Sequence, residues 1–404
     1  MLSNGALQQD HVNAPCPGTR GADEPVMRVV DWSKAERPEF LAAWAELARQ
    51  AAEPNPFYES WFLLPALQQF DRAKKVRIAS LWQGDILIGL MPFSQQANYG
   101  RWPLIHVSNW LHHNAFLGEP LVKVGAELLF WQKILGVMDN RGGKALFLHL
   151  NGIVVGGALQ MALAQICSER DRTHALVNKQ ERAFLEGPLT AEAYFADAVR
   201  SKKRKELRRQ KNRLAEMGDL KFGRQNGGID LDQWTEEFLA LESRGWKGSN
   251  GSALGCSPDT RTMFRAALQG AARAGQLELL DLRLDGAPLA MLVNFICGRG
   301  SFSFKTAFDE DFARFSPGVL LQIENLALLE RDGTDWCDSC AAEGHPMIDS
   351  LWTGRRHIGR YSVAIGGFAR RSAFGMLVKA EQTRISARSV KPQQQINLEN
   401  REEL

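Results

Sequence analysis

A chain of 404 residues is longer than one ordinary hydrophobic core sustains, so two domains are expected. With 45% hydrophobic and 24% charged residues and a net charge of +3, the composition is globular and makes no general demand for a polyanionic partner such as DNA. No apolar run reaches the roughly 18–20 residues that span a bilayer, and the N-terminus lacks the apolar stretch of a secretory signal.

In chain order, residues 1–25 are polar and carry Gly and Pro, which reads as a disordered leader. A first domain is expected over 26–180. The pattern predicts a helix over 35–51, then a strand pair over 76–93 turning at Gly84-Asp85. A helix over 126–139, a strand over 145–150, a helix over 155–166 and a strand over 173–178 follow. Residues 181–220 form the connector. Within it, 201–214 holds eight Lys or Arg and one acid, with Leu207 and Leu214 a heptad apart and Gly218 as a stop near the helix end.

The second domain is expected over 221–384, ahead of a polar tail at 385–404. Helices are predicted over 232–241 and 258–274, then a strand pair over 277–295 turning at Asp285-Gly286. This hairpin repeats the first about 200 residues later, which suggests duplicated halves; chance likeness of two hairpins is the alternative. The alternation of helices and strands calls for a mixed α/β (α+β) class.

The stretch 301–345 carries the chemistry. Phe302, Phe304 and Thr306 alternate with Ser303, Lys305 and Ala307, so a strand is expected over 301–307. After a polar connection, Ser316 is placed as N-cap and Pro317 as first residue of a helix, with Gly318 beside them. Val319, Leu320, Ile323, Leu326, Ala327 and Leu329 are expected to form its buried face. A strand over 336–342 closes the unit. A small-residue helix start between two strands offers free N–H groups and a positive dipole end to a phosphate ester, with Arg314 adding charge. A plain helix cap is the competing reading.

Among reactive groups, Lys305 between aromatic residues is a candidate for oxyanion or phosphate contact, against a strand lysine whose head reaches solvent. Asp309, Glu343 and His345 are candidate bases. Glu242, Trp246 and Lys247, ahead of a Gly/Ser-rich loop, are candidates for the acceptor side, with Trp352 added downstream. Cys337-x-x-Cys340 with His345 lacks a second pair, and residues three apart in a strand face opposite ways, so no metal is expected. The six scattered cysteines read as reduced thiols of a cytoplasmic protein. His112-His113 lacks a following aspartate and is read as structural or acceptor-side. The basic helix 201–214 is open to a solvated face, an anionic membrane surface or tRNA.

Together, 242–248 (ESRGWKG), 284–290 (LDGAPLA), 304–321 (FKTAFDEDFARFSPGVLL) and 110–122 (WLHHNAFLGEPLV) resemble the cellulose-biosynthesis (CelD/BcsL-type) acetyltransferase family of the GNAT superfamily, related to the FemAB peptidoglycan aminoacyltransferases. That resemblance, over roughly 76–366, implies two tandem GNAT-like domains, each a mixed, mostly antiparallel sheet flanked by helices. It implies acyl-CoA as co-substrate, with no permanently bound cofactor. Residues 301–307 would pair with the pantetheine, and Arg314, Ser316, Pro317, Gly318, Val319 and Leu320 would cradle the pyrophosphate. Of the usual R/Q-x-x-G-x-G/A signature only Gly318 is present. The implied acceptor is an amine or hydroxyl of an envelope glycan or a lipid, including long-chain N-acylation of a sphingoid-type amine. An aminoacyl-tRNA donor and a non-catalytic role in polysaccharide export are the alternatives. The expected location is the cytoplasm, with peripheral contact at the inner face of the membrane.

Overall fold

The computed structural model describes residues 24–225 and 230–380; the leader expected over 1–25 lies outside them except for its last two residues, and so does the tail over 385–404. Strand β1 (Val26–Asp31) leads through a 3-10 turn to helices α1 (Pro38–Arg49) and α2 (Ser60–Phe70). The hairpin of β2 (Arg77–Gln83) and β3 (Ile86–Gln96) follows, then β4 (His106–Asn109), β5 (Leu121–Val122), α3 (Glu127–Arg141), β6 (Phe147–Val154), α4 (Ala158–Glu169) and β7 (His174–Glu186). Two helices, α5 (Ala191–Ala198) and α6 (Ser201–Ala215), lead into β8 (Leu220–Gln225), α7 (Leu231–Arg244), α8 (Trp246–Ser249) and α9 (Pro258–Arg273). Strands β9 (Leu277–Leu284), β10 (Ala287–Cys297) and β11 (Gly300–Phe308) precede α10 (Pro317–Glu324), β12 (Trp336–Asp338), α11 (Pro346–Asp349) and β13 (Gly354–Ala364).

The expected mixed α/β class is present as one continuous sheet. Its order is β1-β2-β3-β4-β6-β13-β7-β12-β11-β10-β9-β8, with β5 beside β3. This order has the same pattern from either edge. Each side runs inward through three antiparallel pairings to a parallel junction, β4 with β6 on one side and β11 with β12 on the other. At the centre β13, from the end of the chain, lies between β6 and β7, while β7 lies against β12. The two halves exchange their innermost strands, so cutting the chain between β7 and β8 does not separate two sheets.

Both predicted hairpins form, because each turn carries residues that tolerate positive φ: Gly84 at 58°, and Asp285 and Gly286 at 49° and 83°. Aromatic packing holds the halves together. Phe57 and Phe62 of the first half meet Phe295, Phe302 and Phe304 of the second, at ring separations of 4.9–6.0 Å within this group. Helix α2 crosses α9 at Gly270, where a Cβ would lie 2.6 Å from Cβ of Trp61. A Phe buried this fully contributes about 1.5–3 kcal/mol through removal from water.

Local expectations need four corrections. Ser316 holds the N-cap position with Pro317 first in the helix, as expected, but its side chain makes no capping bond: at φ 54° and ψ 49° it also ends the 3-10 turn over 310–315 before α10 turns away. Helix α10 stops at Glu324 and continues as a 3-10 turn. Its inward face carries Gln322 and Asn325, bonded to Ser303, Thr306 and Asn294, while Ala327 is exposed and Val319, Ile323 and Leu329 are half-buried. Strand β12 ends at Asp338, four residues early, since Asp338 turns its carboxylate onto Arg182 and Arg356. Gly218 lies three residues past the end of α6 and has no positive φ; a Cβ there would fall 2.3 Å from the Asp285 carboxylate, which explains the glycine.

Candidate active site

Each parallel junction is short, and beyond it two strands diverge. In the first half β4 and β6 pair only at Val107–Leu148 and Ser108–His149. The gap beyond is filled by the chain itself. The Asn109 side chain accepts from the N–H of Asn151 (2.8 Å) and donates to the carbonyls of Asn151 (2.8 Å) and Gly118 (2.9 Å), taking the place of a peptide group in a ladder. The N–H of Gly118 then donates to the Gly152 carbonyl at 2.9 Å. A Cβ on Gly118 would meet the Asn151 oxygen at 2.0 Å, so only glycine allows this approach. Glu119 completes the closure by accepting from the N–H of Val154 at 2.7 Å.

In the second half β11 and β12 pair over Gly300–Trp336, Ser301–Cys337 and Phe302–Asp338. From Ser303 to Phe308, β11 has β10 on one side and, among the described residues, no strand on the other. Lys247 approaches this stretch, donating to the Thr306 carbonyl (3.0 Å) and pairing with the buried Glu242 (3.1 Å). Strand β11 carries a bulge here: Val293 pairs with Lys305 but Asn294 with Ser303, leaving Phe304 as the extra residue.

Lys305 follows the bulge. Its Nζ lies 5.3 Å from the ring centre of Phe116 and 5.7 Å from that of Phe304. Among the described residues it makes no hydrogen bond or ion pair. Burial, reinforced by the charge of Lys247, pushes its pKa down to about 8. His112 of the first half is close enough to feel that charge. Burial, with His113 and Lys305, holds its imidazole neutral, near a pKa of about 3. Nδ1 of His112 accepts from the N–H of Asn114 at 3.3 Å, which leaves the ring proton on Nε2; that atom is buried and has no partner among the described residues.

His112, Phe116 and Cys340 line a cleft of about 1230 Å³ between the halves. Its wall mixes polar side chains such as Gln69, Asn151, Asn178, Gln180, Arg182 and Arg360 with apolar surface that includes the faces of Phe70 and Trp110. Asp338 organises its inner end. This fully buried carboxylate accepts from Arg182 at 2.5 Å and Arg356 at 3.0 Å, and takes the N–H of Cys340 at 2.9 Å. Arg356 also reaches Glu53, and Arg182 donates to the Phe116 carbonyl at 2.7 Å.

Residues 201–345 match a family model described as acetyltransferase (GNAT) domain. This half is similar to a GNAT domain. The whole chain is similar in fold to FemX, at 9% identity over 80% of this chain and 95% of that one, with a TM-score of 0.54. It is also similar to a conserved protein of unknown function from Bacteroides thetaiotaomicron VPI-5482, at 13% identity over 80% and 97% of the chains, with a TM-score of 0.52. No curated relative matches.

Within the GNAT-like half, the sequence-derived candidates separate. Glu242 of α7 and Lys247 of α8 come together beside Lys305 of β11, and Glu310 ties the connection before α10 to the N–H of Trp246 at 2.7 Å. Trp246 itself is exposed. Trp352 is fully buried among Tyr194, Leu326 and Leu351, so it reaches no acceptor. Glu343 is exposed, Asp309 caps its own turn through Asp311, and His345 precedes α11. No hydrogen bond, ion pair or ring contact among the described residues joins these three to Lys305. At the start of α10, Leu320 bonds back to Ser316, while Gly318 and Val319 have no acceptor within the helix. The space beside Gly318 is taken by Met347 and Phe308, each 3.2 Å from where a Cβ would sit, so this glycine serves packing. Arg314 is exposed, its guanidinium 4.7 Å over Phe315, and Leu320 turns toward a groove beside α6.

The sequence reading missed Asn109 and Asp338, and assigned His112 no chemical role. What gives them a role, Asn151 for Asn109, Arg182 for Asp338 and Lys305 for His112, lies far along the chain, so no local pattern marks them.

Proposed function

We propose that this protein is an acyltransferase that moves an acyl group from an acyl-CoA thioester to an amine, or a hydroxyl, of a glycan-type acceptor held in the cleft between the halves. One observation carries this reading. The edge of β11 from Ser303 to Phe308, unpaired with any strand among the described residues and contacted by Lys247 at the Thr306 carbonyl, would offer its other backbone groups to an extended donor chain, whereas the corresponding edge in the first half is closed by Asn109 and Gly118. The match of residues 201–345 to a GNAT domain and the resemblance to CelD/BcsL-type acetyltransferases support the same half.

Lys305, in its neutral form, takes the proton as the acceptor nitrogen bonds to the thioester carbonyl carbon. His112 donates Nε2–H to the oxygen that gains charge, and the C–S bond then breaks, with the thiolate leaving. On this reading Arg314 and the N–H groups of Gly318 and Val319 would hold the pyrophosphate. Gln69, Asn151, Asn178 and Gln180 along the cleft offer hydrogen bonds to a hydroxyl-rich acceptor, which is the ground for preferring a glycan to a sphingoid-type amine. A second reading, with an aminoacyl ester of tRNA as donor, draws on the exposed cations of α6.

The test offers acetyl-CoA or palmitoyl-CoA with an amino-sugar oligosaccharide, with a sphingoid base, or with neither but an aminoacyl-tRNA, and follows products by mass spectrometry. Acylated oligosaccharide is expected. Turnover confined to the sphingoid base or to aminoacyl-tRNA contradicts this reading.

A further inference from the structure

A second cavity, of about 550 Å³, lies away from the cleft, between α5, α6, β8 and α10. Its floor is apolar: Phe195, Leu207, Phe222, Leu320 and Ile323. Its lip on α6 is cationic. Lys211 is neutralised by Glu324 at 3.6 Å and lies 4.5 Å over the Phe222 ring. Arg204, Lys205 and Arg208 have no carboxylate partner among the described residues, although Glu192 stands on the opposite lip. The Nε of Arg204 is buried and unbonded. Arg204 as a whole is half-buried, so an anion at the lip meets a guanidinium already partly removed from water.

We propose that this groove binds one anionic phospholipid, its phosphate on Arg204, Lys205 and Arg208 and an acyl chain along Phe222 and Ile323. The charge of the lip calls for an anion, and the floor distinguishes among anions. A nucleic-acid backbone would use the cations and leave the apolar floor exposed, whereas a phospholipid covers both. On α6 itself only Leu207 and Leu214 are buried and both face inward, so the helix has no apolar face to insert in a bilayer. The apolar contact comes from the groove behind it. The site is separate from the cleft and independent of the acyl-transfer reading.

The experiment uses the full chain and three probes: phosphatidylcholine vesicles with and without phosphatidylglycerol, a short-chain phosphatidylglycerol below its micelle concentration, and glycerol phosphate alone. Co-sedimentation is expected only with the anionic vesicles. The short-chain lipid should bind at least tenfold more tightly than glycerol phosphate by calorimetry. Arg204→Glu with Arg208→Glu should weaken vesicle binding at least tenfold, and Ile323→Ser should weaken the short-chain lipid about tenfold while leaving glycerol phosphate unchanged. Circular dichroism confirms that each variant folds; if Ile323→Ser does not, the wild-type ratio of short-chain lipid to glycerol phosphate decides alone. Equal binding of the lipid and its headgroup, binding to neutral vesicles, or displacement of anionic vesicles by tRNA at lower concentration than by short-chain lipid would each overturn the proposal.

Discussion

The Nζ of Lys305, on β11 of the second half, lies 5.3 Å from the ring centre of Phe116 in the first, so one half supplies the amine and the other the surface that shields it. Shielding lowers the pKa to about 8, which makes the neutral base accessible near physiological pH. The rate kcat/KM should therefore rise about tenfold per pH unit up to about 8 and level above it. Lys305→Met and Lys305→Arg should each lower kcat at least tenfold. Phe116→Ala admits water and raises the pKa toward that of an ordinary lysine, moving the rising limb to higher pH; cation–π attraction is the smaller, opposing effect. An unchanged limb in Phe116→Ala would separate Lys305 from the chemistry.

Asp338→Asn should unfold more readily in urea by about 3–5 kcal/mol, because it leaves Arg182 and Arg356 buried without their counter-charge. A loss below 1 kcal/mol would show that water or Glu53 compensates and that the inner end of the cleft does not depend on this carboxylate.

Asn109→Asp keeps the acceptor for the N–H of Asn151 but loses both donated bonds to Asn151 and Gly118. The buried Gly118 carbonyl and the half-buried Asn151 carbonyl lose a partner and face a carboxylate, so a cost of about 2–4 kcal/mol is expected. Wild-type stability in this variant would mean that the first-half gap is not held shut by this side chain.

Glu119 is buried, and burial together with Glu53 raises its pKa to about 8. In the unfolded chain it ionises near the ordinary carboxylate value of about 4.3. Between those two values the folded form holds a proton that the unfolded form has lost, so this group's contribution to stability falls as pH rises and flattens above about 8. Glu119→Gln, which cannot ionise, should gain on the wild type by a few kcal/mol between pH 5 and pH 8. Parallel stability curves for the two proteins would show that Glu119 is charged in the fold.

Much of the scaffold was legible because its marks are local. Gly84-Asp85 and Asp285-Gly286 announce their turns, and the Leu207–Leu214 spacing marks the buried side of α6. The exchange of β7 and β13 left no such mark, since Tyr361 meets Leu176 and Leu150 about 200 residues away in sequence. Ser316 satisfies the composition of an N-cap, yet its φ is set by the 3-10 turn before it. Trp352 looked like an acceptor wall until Tyr194 and Leu326 closed around it. Lys305 was visible as a candidate; its shielding was not, because the ring that covers it comes from the other half.

The central claim is that the chain holds one acyl donor, on the second half only. Calorimetric titration with coenzyme A tests this most directly, with Arg314→Glu as the variant, since Gly318 packs against Met347 and Phe308 and its replacement would disturb folding. One site per chain, weakened at least tenfold in Arg314→Glu and unchanged in Asn109→Asp, is the predicted result. Two sites per chain, or no heat with coenzyme A or any of its thioesters, would contradict it.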